Sequence, residues 1–146
     1  FLITGPELSQ QLIRYLVKMG ETESFGGCDL LITQFPRVRS GNLMRLPRLA
    51  WRDVAASLGD TRLVALIKTL TILERRLPGS GSGSASPINW LFEFLSERSQ
   101  EDLTPVIDWI LCHTDNPYLP FGRYNYDAKS LAQLHARSAR VFYVPR

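Results

Sequence analysis

The stretch "DTRLVALIKTLTILERRL", Asp60 to Leu77, decides how the rest of the chain is read. Leu63, Leu66, Ile67, Leu70, Leu73 and Leu77 recur at helical spacing and form one apolar stripe. Asp60 or Thr61 stands where an N-cap belongs, and Gly59 just before it closes the preceding segment. A stripe of this length needs other elements to cover it.

Upstream, "WRDVAASLG" (Trp51–Gly59) reads as a short helix. Further back, "PELSQQLIRYLVKM" (Pro6–Met19) places Leu8, Leu12, Ile13, Leu16 and Met19 on one helical face. Pro6 suits its first position and Gly20 its stop. Between Phe25 and Pro47 the texture changes to glycine pairs, prolines and a β-leaning run, Leu30 to Phe35. That run is a short strand only if the C-terminal tail pairs with it; otherwise a loop is expected.

Downstream, "SPINWLFEFLSER" opens with Ser86 as N-cap and Pro87 at the first helical position, and "TPVIDWILCHT" repeats that start with Thr104 and Pro105. A last helix is expected from about Ala128 to Phe142, burying Leu131, Leu134, Ala139 and Phe142. The expected fold is therefore all-α: one compact domain over 1–146 with five or six helices and at most one short β-element. Apolar residues at 45% and charged residues at 21% fit an ordinary globular core, and no apolar run reaches the ~20 residues that span a bilayer.

One segment carries no packing information. Residues 79–86 alternate glycine and serine and end in Ala-Ser, a pattern resembling a designed linker that would join 1–78 to 87–146. A native flexible tether is the plainer alternative. A phosphate-cradling loop is disfavoured, because the Gly-Lys-Ser/Thr signature needs a lysine and this loop has none.

The net charge of +3 is unevenly distributed. Residues 37–78 hold nine cations against three carboxylates, and residues 87–116 hold one cation against six carboxylates. Either the two blocks pair their charges across helix rims, or the basic block faces nucleic acid. Two cysteines, Cys28 and Cys112, lack metal-ligand spacing and suggest reduced thiols in a cytoplasmic protein. The N-terminal residues lack the pattern of a secretory signal.

Two segments stand out as binding candidates. In "WRDVAASLGDTRLVALIKTL" (Trp51–Leu70), a short helix, a glycine turn and a second helix resemble helix-turn-helix proteins of the repressor type over about twenty residues. The resemblance implies DNA as partner, with Thr61, Arg62 and Lys68 toward bases and Arg48 and Arg52 on phosphates. Asp60 departs from that pattern, since its charge at the start of the second helix repels phosphate. A wider cationic set, Arg37, Arg39, Arg45, Arg75 and Arg76, would add to the electrostatic footprint.

The second candidate, "CHTDNPYLPFGRYNYD" (Cys112–Asp127), gathers Tyr118, Arg123, Tyr124 and Tyr126 between helices, a composition suited to a protein partner or a second copy of the chain. Turn and core roles explain many of the same residues. Catalysis ranks third. His113 and His135 are the only histidines, and Cys112 beside His113 points about 100° away on a helix. Asp108 and Asp115 could share an acidic pocket with Glu101 or Asp102, although solvated helix faces account for them more simply. No metal, cofactor or catalytic residue is expected. The sequence-level expectation is a small non-catalytic helical binding domain.

Overall fold

A computed structural model of the chain describes residues 10–77, 85–116 and 119. Among the described residues seven α-helices follow one another: α1 (Gln10–Thr22), α2 (Gly26–Gln34), α3 (Pro36–Arg39), α4 (Arg48–Ala56), α5 (Asp60–Arg76), α6 (Pro87–Arg98) and α7 (Thr104–His113). A 3-10 turn at Leu43–Arg45 precedes α4, and no strand occurs among the described residues. The fold is all-α.

The count exceeds the five or six helices expected, and the reason lies in Phe25–Pro47. Leu30 to Phe35 is neither strand nor loop; most of it belongs to α2, whose Cys28 and Leu31, three residues apart, face the core. The residue before a proline avoids helical geometry, so Phe35 turns extended (φ −122°, ψ 103°) and Pro36 opens a separate helix. The helix expected over 128–142 lies outside the described residues, as does most of the Gly-Ser run.

The α5 helix is the axis of the fold. Leu63, Leu66, Leu70, Leu73 and Leu77 of its stripe are buried, as is Ile67. It packs against α1, α2, α6 and α7, whereas α4 leans chiefly on α6. Each fully buried leucine contributes about 2 kcal/mol of apolar burial. Trp51 of α4 and Phe92 of α6 are the bulkiest fully buried side chains.

The tightest contact is between α1 and α5. Gly20 does not stop α1, which continues to Thr22; it lets α5 approach. A Cβ at position 20 would sit 1.9 Å from the Ala65 carbonyl oxygen, so only glycine fits. One turn away, the buried Thr69 hydroxyl donates to Leu16 O at 2.5 Å across the same interface. Neither polar group is left unmatched.

Helix starts follow capping chemistry with two shifts from expectation. Ser86 caps α6 as expected, accepting from the Ile88 amide at 3.3 Å. Gly59, not Asp60 or Thr61, is the N-cap of α5. Leu103 is the N-cap of α7, and Asp102 does the capping chemistry: its carboxylate accepts from the Thr104 amide (3.0 Å) and hydroxyl (2.7 Å).

Candidate functional site

Cations of the basic block pair with carboxylates from several elements, only some of them in the acidic block. Arg48 bonds Glu93 at 3.0 Å and lies over the Phe94 ring. Arg98 bonds Asp60 at 2.8 Å, and its other nitrogens donate to Ala55 O and Leu58 O, clamping the turn between α4 and α5. Arg75 pairs with Asp115 and Arg76 with Asp29. Lys68 reaches Glu23 at 3.8 Å and sits over Trp109. Arg39 and Arg45 donate to backbone carbonyls of Thr33 and Ser40.

Of the residues expected to meet nucleic acid, Arg48 and Lys68 are thus in ion pairs. Arg52, Thr61 and Arg62 are exposed. Arg37, Arg52 and Arg62 pair with no carboxylate among the described residues. Thr61 and Lys68 line a cleft; Arg48, Arg52 and Arg62 are not among its lining residues. Tyr118, Arg123, Tyr124 and Tyr126 lie outside the described residues.

That cleft, of about 530 Å³, opens where the C-terminal end of α1, the N-terminal half of α5 and the α6–α7 connection converge. Val64, Ala65, Leu95, Leu103 and Val106 give it an apolar lining. Glu21, Glu23, Asp60, Glu101 and Asp102 also line it, with Lys68 as its only cation among the described residues. The Thr104 hydroxyl, then its amide, hold the Asp102 carboxyl below the usual carboxylate range, so it stays ionised. Its volume falls within the range that ligand sites occupy.

The sequence signal for the cleft is faint. Glu101 and Asp102 had been paired in expectation with Asp108 and Asp115, but Asp115 turns to Arg75 and neither residue lines the cleft. Their actual companions, Glu21 and Glu23, stand about eighty positions earlier in the chain. Only the crossing of α1 on α5 unites them.

Potential reactive groups are otherwise engaged. His113 stacks on Trp109 with ring centroids 3.9 Å apart, and its Nδ1 lies 2.7 Å from Trp109 O rather than against Cys112. Burial pushes the Cys28 thiol up to about 11, far from a nucleophile at neutral pH. Neither cysteine forms a disulfide. Among the described residues no group of histidine, cysteine and carboxylate side chains is arranged to hold a metal ion, and no helix is long and apolar enough to cross a membrane. Comparison with protein families, curated proteins and solved structures gave no match.

Proposed function

We propose that this chain is a non-catalytic helical interaction domain that engages a protein partner through the cleft between α1, α5 and the α6–α7 connection. The observation that carries this conclusion is the acidic and apolar lining of the cleft at the start of α5. Two of the cations offered for nucleic acid, Arg48 and Lys68, are tied to Glu93 and Glu23, while the open concavity at the start of α5 is lined by carboxylates. A phosphate backbone approaching Thr61 would meet Asp60, Glu101 and Asp102. A concavity lined by both apolar and charged side chains instead suits a segment of a protein partner.

The test is a selection of displayed random peptides on the whole chain, followed by competition with Val106→Arg, which fills the cleft from its α7 wall. Selected peptides are expected to lose at least about tenfold in affinity for the variant, provided its circular dichroism matches the parent. Peptides that bind parent and variant alike, or no selectable peptide, would overturn the proposal.

A second reading retains nucleic acid, supported by Arg37, Arg52 and Arg62, which are exposed and pair with no carboxylate among the described residues. It requires Arg52→Glu with Arg62→Glu to abolish a salt-sensitive association with duplex DNA. Binding that survives both reversals contradicts it.

A further inference from the structure

We propose that the cleft recognises a basic, amphipathic peptide segment of its partner, cations toward Glu21, Glu101 and Asp102 and an apolar residue on Val64, Leu103 and Val106. This rests on the interaction-domain reading above and names the partner's chemistry. Five carboxylates line the cleft against one ammonium group. Three of them are spoken for in part: Glu23 takes the Trp109 indole N–H at 3.2 Å and faces Lys68, Asp60 takes Arg98, and Asp102 caps α7. Glu21 and Glu101 are exposed and meet no cation among the described residues, so the cleft lining keeps an excess of negative charge.

Shape and lining narrow the ligand further. About 530 Å³ accommodates a few side chains of a docked segment, not a folded domain. The apolar lining between the carboxylates would stay wetted under a purely hydrophilic cation, whereas a segment with both cationic and apolar residues covers both surfaces. A small metal ion is excluded on geometry, because the carboxylates belong to separate elements and form no ligating group. Anionic ligands meet the opposing field.

The experiment titrates the whole chain with three blocked, labelled peptides of about sixteen residues, all with leucines at helical spacing. Their polar positions are lysine in one, glutamine in the second and glutamate in the third. The lysine peptide is expected to bind at micromolar Kd, the glutamine peptide at least about tenfold more weakly, and the glutamate peptide not at all. Glu21→Lys combined with Glu101→Lys, both at exposed positions, is expected to weaken the lysine peptide about tenfold with unchanged helicity. Equal binding of the lysine and glutamine peptides, indifference to the double variant, or no binding by any peptide overturns the inference. If selection yields neutral peptides that still depend on Val106, the interaction domain stands and its preference for bases falls. If nothing depends on Val106, both fall.

Discussion

The two halves of α5 make opposite use of polar residues. In the C-terminal half, Thr69, Thr71 and Glu74 are all buried, and each has its partner inside the fold. The Thr69 hydroxyl bonds Leu16 O, that of Thr71 bonds Ile67 O, and Glu74 receives the Ser86 hydroxyl at 2.7 Å. In the N-terminal half, Asp60, Thr61 and Arg62 are exposed, while Val64 and Lys68 are half-buried beside the cleft. One continuous helix is thus core scaffold at one end and, in the proposed reading, recognition surface at the other. What separates the halves is the coverage by neighbouring elements, not helical propensity, which varies little along the run.

The largest effect belongs to the place where α5 meets α1. Gly20→Ala drives a methyl group into the Ala65 carbonyl and must part the helices, with an expected loss of about 3 kcal/mol. A urea-midpoint shift worth less than about 0.5 kcal/mol would show that the close approach does not exist. Gly26→Ala is the matched control: a Cβ there meets nothing within 4 Å, and alanine is the better helix former.

Next in size is the joint between the buried half and α6. Ser86→Ala removes both the cap on α6 and the donor to a buried carboxylate, for an expected loss of about 2 kcal/mol in chemical denaturation. Replacing Arg98, which bonds Asp60, Ala55 O and Leu58 O, with alanine should cost about 1.5 kcal/mol. Arg62→Ala, with no such partners among the described residues, should stay within about 0.5 kcal/mol. Comparable losses at both sites would erase the distinction between clamping and free arginines.

A smaller, pH-dependent effect sharpens the contrast further. Burial raises the Glu74 carboxyl above its ordinary 4.5, so the unfolded chain ionises this group first. Protonation therefore favours the folded state: the contribution is full below 4.5 and is lost as pH rises through the raised value. Glu74→Gln removes this dependence, and stability measured from pH 4.5 upward should fall less steeply in the variant than in the parent. Identical slopes would mean that Glu74 is solvated.

Much of the scaffold was legible in the sequence because its signals are local. The stripe from Leu63 to Leu77, the Ser86–Pro87 start and the Thr104–Pro105 start each sit within a few positions of the structure they specify. Gly20 was misread because a glycine that ends a helix and one that admits a neighbouring helix look identical in one dimension. The α2 helix was hidden by its brevity and its β-branched Ile32 and Thr33. The cleft was illegible for a different reason: Glu21, Asp60 and Glu101 come together only through tertiary packing, and each alone is an ordinary surface charge. In the arginine-rich middle segment the sequence left charge pairing and nucleic-acid binding both open, because Glu93 and Asp29, which pair with Arg48 and Arg76, lie in other elements.

The most direct test of whether this domain meets its partner through carboxylates or through guanidinium groups is anisotropy of a labelled DNA duplex titrated with the whole chain at about 20 mM salt, where phosphate binding is strongest. No saturable rise is expected. Saturable binding that weakens as salt is added would contradict the account and favour the second reading, in which the exposed Arg37, Arg52 and Arg62 carry the phosphate contacts.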